Sequence, residues 1–263
     1  GSTNGWIPIE DDTVTDAPFK GNTEGIFGYG ETSSDVSMTN LVSNAGVVGS
    51  DVTGVGTARR AVGACEYGGD KGIFGFGNDG SSCDITNLVS NAGVVATDVT
   101  GVGTARHAGA ACSYGNDKGI FGFGYVSGYV GMTNLVSNAG VVATDVSAVG
   151  TARGEILGAC SFGEDKGIFG YGYVGAPTYK VSMTNLVSNV GVVASDVTGV
   201  GTARSDLAAT QYGGDKGIFA YGDTSGGSSP VSMSNLVSNA GVVATDVTGV
   251  GTARGQPGAC SFN

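Results

Sequence analysis

Several polar residue types recur at fixed places in this 263-residue chain, and each set is a candidate for chemistry. One set is Arg59, Arg106, Arg153, Arg204 and Arg254. A second is Asp51, Asp98, Asp145, Asp196 and Asp246, and a third is Asn40, Asn87, Asn134, Asn185 and Asn235. Asp70, Asp117, Asp165 and Asp215, each followed by Lys, form a fourth. Such rings could be repeated ligand sites or a charged channel. The reading that weighs heavier is structural. Asp and Asn cap turns through side-chain-to-backbone bonds, and Arg pairs with Asp of the same or the next unit.

Signals for catalysis are thin. His107 is the sole His and occurs in one copy only, so a general-base role is not expected of it. Glu24, Glu31, Glu66, Glu155 and Glu164 occupy non-equivalent places; a carboxylate pair for glycoside hydrolysis would have to be assembled from several units. The "GYG" and "GFG" strings lack the G-K-[ST] of a phosphate loop. The "D-x-T-G" strings lack the spaced acids of a calcium loop. Cys65, Cys112, Cys160 and Cys260 share one position, at which another copy has Thr210. A position that takes Cys or Thr reads as a small buried site, without disulfides or a metal spacing. Neither catalytic residues, nor a metal, nor a cofactor is expected.

The residues that vary are more informative. After the "GIFGYG"-like strand the copies read "ETSSDVS", "NDGSSCDI", "YVSGYVG", "YVGAPTYKVS" and "DTSGGSSPVS"; after "GTAR" they read "RAVG", "HAGA", "GEIL", "SDLA" and "GQPG". In an antiparallel unit these two connections fall on one rim. Rigid strands presenting variable loops commonly make binding surfaces. Tyr125, Tyr129, Tyr173 and Tyr179 sit in these loops with His107 nearby in sequence, and Tyr offers rigid amphipathic area for stacking on sugars. These five are the ligand-binding candidates, for a glycan or a cell-surface receptor.

The elements that position them follow from the repeat. Successive "GTAR" arginines are about 50 residues apart, a period suited to propeller blades. "GIFGYG" variants begin at 25, 72, 119, 167 and 217. Each unit reads as four strands, A "GACEYG", B "KGIFGYG", C "SMTNLVSN" and D "VVATDVTGV", punctuated by Gly, Asn and Asp. The expected fold is all-β: a five-bladed propeller of four-stranded antiparallel blades over 21–263, with an N-terminal arm over 1–20. The first blade lacks its own strand A, so Gly258–Asn263 is expected to close the ring, bringing Asn263 near Asn22.

Composition sets outer limits. Charged residues are 13% and the net charge is −11, which disfavours nucleic acid and anionic membranes. No apolar run reaches the roughly 20 residues of a membrane span, and "GSTNGWIPIEDD" does not read as a signal peptide.

The stretch Thr202–Gly222, "TAR…AA…YGGDKGIFAYG", resembles the Kelch repeat, with Arg204, Ala208, Ala209, Ile218, Phe219, Tyr221 and Gly222 in comparable places. The wording "TNLVSNAGVVATDVTGVGTAR" also looks like highly repetitive propeller-like proteins of bacteriophage and environmental bacteria. The resemblance implies a non-enzymatic recognition module on a virion or extracellular surface, or a scaffold that binds other protein subunits.

Overall fold

The computed structural model describes residues 23–155, 158–176, 179–224 and 229–261. The arm expected over 1–20, and the meeting of Asn22 with Asn263, lie outside them. Among the described residues there are strands and no helix, so the chain is all-β, and no helix is long and apolar enough to cross a membrane.

Unit 1 holds β1 (Gly25–Glu31) and β2 (Asp35–Val42). Unit 2 holds β3 (Gly63–Tyr67), β4 (Lys71–Gly75) and β5 (Thr86–Val89). Unit 3 repeats this as β6 (Ala110–Tyr114), β7 (Lys118–Gly122) and β8 (Thr133–Val136). Unit 4 has β9 (Gly158–Phe162) and β10 (Lys166–Gly170), a small hairpin β11 (Tyr173–Gly175) and β12 (Tyr179–Lys180), then β13 (Thr184–Val187). Unit 5 has β14 (Ala208–Tyr212), β15 (Lys216–Ala220) and β16 (Ser234–Val237).

Strands A, B and C form as expected, with one register throughout. Cys65 opposes Ile73 and Phe74 opposes Asn87, and the same pairs recur in units 3 and 4. The A–B turn needs two successive left-handed residues, the geometry of a type I′ hairpin. Gly68 and Gly69 supply it at φ 62 and 77°, and Gly115 with Asn116 at 59 and 66°.

Two expectations are corrected here. Strand D is not a strand. Its residues touch strand C only through isolated bridges such as Thr86↔Val99 and Val89↔Val95. Val94 and Val99 stay exposed, so nothing apolar holds this edge flat. The sheets are therefore three-stranded, not four-stranded. The closing strand is also not formed: Gly258–Ser261 is exposed and not in a strand, and the β1–β2 sheet keeps two strands.

The core lies between units rather than within them. Tyr67, Ile73 and Phe76 of unit 2 cluster with Phe121 and Val136 of unit 3, and equivalent clusters fill the other junctions. Tyr29, Phe76, Phe123 and Tyr171 each meet the Phe of the next unit at 5.1–5.2 Å between ring centroids. Glycine is required where these rings press closest. A Cβ on Gly122 would stand 2.8 Å from Phe169 Cζ, and Phe169 is fully buried. Polar links accompany the rings. Asp98 accepts bonds from the amide and hydroxyl of Thr57, and Asp145, Asp196 and Asp246 do the same for Thr104, Thr151 and Thr202 of the preceding unit.

Two predictions follow from these junctions. Gly122→Ala should destabilise the fold by about 1–3 kcal/mol through overpacking, whereas Gly128→Ala, with open space around it, should stay within about 0.5 kcal/mol; paired denaturant curves check this. The second concerns acid. Burial raises the pKa of Asp98, Asp145, Asp196 and Asp246, but their bonds from Asn and Thr outweigh it, and each ends below the ordinary value. A depressed folded pKa gives stability that is present above the unfolded pKa of roughly 3.9 and lost as pH falls through the folded value. Thermal midpoints should therefore drop steeply below about pH 4, and Asp145→Asn should flatten that drop.

Candidate functional site

The variable connections meet on one edge because the segments after the first four "GTAR" strings each pair with the loop after strand B of the next unit. His107 bridges to Tyr125, Tyr125 to Tyr129, and Gly154 to Tyr173. The 124–130 loop is closed by bonds from Val130 N to the Gly124 carbonyl and from Val126 N to the Gly128 carbonyl. That closure sets Tyr125 and Tyr129 side by side. The β11–β12 hairpin places Tyr173 and Tyr179 beside them, with Tyr179 in the left-handed region at φ 62° and half exposed.

All five candidates from the sequence thus form one continuous aromatic ladder. Ring centroids are 5.5 Å apart for His107–Tyr125, 5.3 Å for Tyr125–Tyr129, 5.4 Å for Tyr129–Tyr173 and 6.0 Å for Tyr173–Tyr179. The first three are edge-to-face, a favoured aromatic geometry. The ladder belongs to units 2–4 only. Its flanks are ionic: Arg60 pairs with Asp35 at 2.8 Å on one side, and Lys180 with Asp223 at 3.2 Å on the other.

Two polar groups complete it, and the sequence reading did not assign either to the site. Ser82 Oγ lies 2.9 Å from His107 Nδ1. Burial, then the Arg60 charge, pushes the His107 pKa down, which favours the neutral ring. Tyr129 donates its hydroxyl to Glu155 Oε1 at 2.6 Å. Its pKa is raised, first by desolvation and then by the hydrogen bond and charge of Glu155. Glu155 follows Gly154, which pairs with Tyr173, so its position in "GEIL" was a usable signal. It stands at the left-handed place, φ 57°, that Ala61, Ala108 and Asp206 occupy in other units.

The recurring polar sets lie elsewhere and serve the fold. Arg59, Arg106, Arg153 and Arg204 are buried at the junctions. Each Asp70-type carboxylate binds the Lys beside it. The described cysteines are unpaired; burial raises the Cys65 and Cys160 thiols to about 12.

No known protein family matches the chain, and no curated protein matches it. Among solved structures it is similar to a fungal alcohol oxidase of the AA5 family in complex with copper. The TM-score is 0.54 at 12% identity, covering 90% of this chain and 65% of that one. At that identity the likeness bears on the fold alone. These findings correct three expectations. The Kelch-like kinship, with its phage and environmental relatives, is not supported, since no family matches and the sheets are three-stranded. The solved structure that the chain is similar to is an enzyme, so the fold no longer points to the non-enzymatic recognition module or to the scaffold.

The copper of that oxidase does not fit the residues here. Among the described residues no three His, Cys, Asp or Glu side chains converge. The one imidazole is engaged by Ser82, and the Cys112 and Cys160 thiols are buried and held protonated. Copper centres combine imidazole with thiolate or oxygen donors, and among the described residues the chain's one imidazole has no cluster of thiolate or carboxylate donors around it.

The Tyr129–Glu155 link is open to a direct test. In carbon-13 NMR titration of labelled tyrosine, Tyr129 should remain neutral at pH values that ionise an ordinary phenol. Glu155→Gln should lower its pKa by removing the adjacent charge. An unchanged titration in that variant would contradict the bond.

Proposed function

We propose that the chain acts as an enzyme on a polyhydroxylated alcohol or sugar docked along the tyrosine ladder, with Glu155 as the proton acceptor. The observation that carries this reading is the ladder His107–Tyr125–Tyr129–Tyr173–Tyr179 with a carboxylate fixed at its middle rung. Tyrosine faces bind the CH-rich side of a sugar, and their hydroxyls bond its polar edge. Tyr129 orients the Glu155 carboxylate, which takes the proton of a substrate hydroxyl as that oxygen attacks the anomeric carbon of a second sugar, and returns it to the glycosidic oxygen that leaves. Lys180 and Arg60 limit the ladder at either end. No step runs through a metal. The substrate class rests on the ladder, and among the described residues no cluster of His, Cys, Asp or Glu assembles as a metal site would need.

We also infer the finer architecture: five units standing as five propeller blades about one axis, the first completed by the C-terminal segment. Supporting it is the uniform junction, in which each unit meets its successor through equivalent aromatic, Arg and Thr–Asp contacts.

Incubation with a panel of polyols, monosaccharides and oligosaccharides, followed by NMR of the products, tests the function. Turnover should fall about 10²–10⁴-fold in Glu155→Gln, the usual worth of a general base, with the melting temperature unchanged. Tyr173→Ala should act mainly on KM. Absence of turnover across the panel, or turnover indifferent to Glu155→Gln, would refute the reading.

A further inference from the structure

The junction between successive units is built from the same contacts each time, and each kind leaves one unmatched pair, half on unit 1 and half on unit 5. The aromatic contact joins Tyr29 to Phe74 and so on to Tyr171 with Phe219, which leaves Tyr221 and Phe27. Phe27 is 63% exposed, whereas its four counterparts are 5% or less. The Thr–Asp link leaves Thr252 and Asp51. Leu41, Leu88, Leu135 and Leu186 each press on a glycine of the next unit, which leaves Leu236, 37% exposed, and Gly46, which a Cβ would leave in open space. Arg59 bonds the Phe76 carbonyl and Asn87 of the next unit. Arg254 stacks on Tyr221 like its counterparts but is exposed.

The cysteines follow the same rule. The sulphurs of Cys65, Cys112 and Cys160 lie 2.5–2.7 Å from where a Cβ on Gly119, Gly167 and Gly217 would stand, so each thiol seats on a glycine of the next unit. Gly72 has the same place in unit 2 and no thiol on it. Cys260 lies in "GACSF", the wording of β9. It already lines, with Gly25, Ile26 and Gly72, a groove of about 380 Å³.

We propose that unit 5 docks on unit 1 of the same chain through these contacts, with Gly258–Ser261 adding to β1 as a third strand and Cys260 seated on Gly72. The register follows from Cys65↔Ile73, Cys112↔Ile120 and Cys160↔Ile168: Cys260 opposes Ile26. Arg254 then reaches Asn40 and the Tyr29 carbonyl, and Phe27 covers Tyr221. The two ends form a heterologous pair of surfaces, which makes a ring when the rotation closes and an open string of copies when it does not. The position of Cys260 in the unit 1 groove favours the ring, because a tethered partner outcompetes a free one. This proposal rests on the five-blade reading above and is independent of the enzymatic one.

The test is Ile26→Cys under mild oxidation, with peptide mapping and a non-reducing gel. Directly opposed strand residues lie within disulfide reach. The expected result is a bond from position 26 to Cys260 within a monomer, with its yield lost in Arg254→Ala. A bond to Cys260 that runs between two copies would overturn the ring. A monomer without that bond would overturn the register while leaving the ring in place. Should the variant not fold, alkylation of Cys260 in the unaltered protein decides: the docked third strand slows it about tenfold or more relative to the urea-unfolded chain, and equal rates would rule the docking out.

Discussion

The structure depends on a buried guanidinium at every junction. Arg59, Arg106, Arg153 and Arg204 are nearly inaccessible to water, and each lies over the aromatic ring of its own unit at 3.9–4.2 Å. Burying a charge is costly unless it is hydrogen-bonded and paired. Here the aromatic face supplies one part of the compensation. The next unit supplies another, through the Phe76 carbonyl and Asn87 for Arg59, and Asn185 for Arg153. Asp145 and Asp196 of the following unit stand 3.8 Å from Arg106 and Arg153. Burial lowers those two guanidinium pKa values to about 10 and the Asp charges oppose it, so both remain charged at neutral pH. No unit can satisfy its own arginine. That is a physical reason for one chain to repeat its wording so closely.

The arginine also explains a strained residue. Tyr29, Phe76, Phe123, Tyr171 and Tyr221 all have φ between 60 and 64°, a region that bulky side chains rarely occupy. The distortion turns each ring out of the sheet and under a guanidinium. Recurrence in all five units means that the surrounding contacts sustain it, at an order of 1–3 kcal/mol each. With strands, turns and aromatic seats committed to the junctions, the connections after strand B and after "GTAR" are the places left to differ. The tyrosine ladder grows there.

This division of labour governs what the sequence could reveal. The strands A–C were legible because alternation and Gly–Asp turn chemistry agreed with the packing. Strand D was not. Its valines look like a buried strand, yet Asp98 spends its carboxylate on Thr57 of the preceding unit, and the backbone there follows the junction instead of a ladder. The ladder residues were legible as tyrosines concentrated in the variable loops, and the two connections do share an edge. Glu155 has no Glu at the equivalent place of any other unit, so repetition does not mark it. Its role arises from the pairing of Gly154 with Tyr173, a contact between loops that no periodicity announces. The oxidase likeness was out of reach altogether, at 12% identity.

A shared fold with different loops is a weak guide to chemistry, since function sits in the groups grafted onto a scaffold. The likeness to a copper oxidase therefore has to be weighed against the groups that are present. A metal centre requires convergent donors, and the single imidazole here donates or accepts toward Ser82 while packing edge-on to Tyr125. What does converge is aromatic surface around one fixed carboxylate. Tyr129 cannot readily ionise beside Glu155, so its proton stays on the shared bond and the carboxylate keeps a defined direction. A group held in place by its neighbour, next to a rigid platform, is the arrangement that the proposed proton transfer from a docked hydroxyl requires. The equivalent place in unit 5 shows how much depends on one loop: Asp206 is there, but its carboxylate is taken up by Ser205 and Gln256, and the aromatic partner is missing.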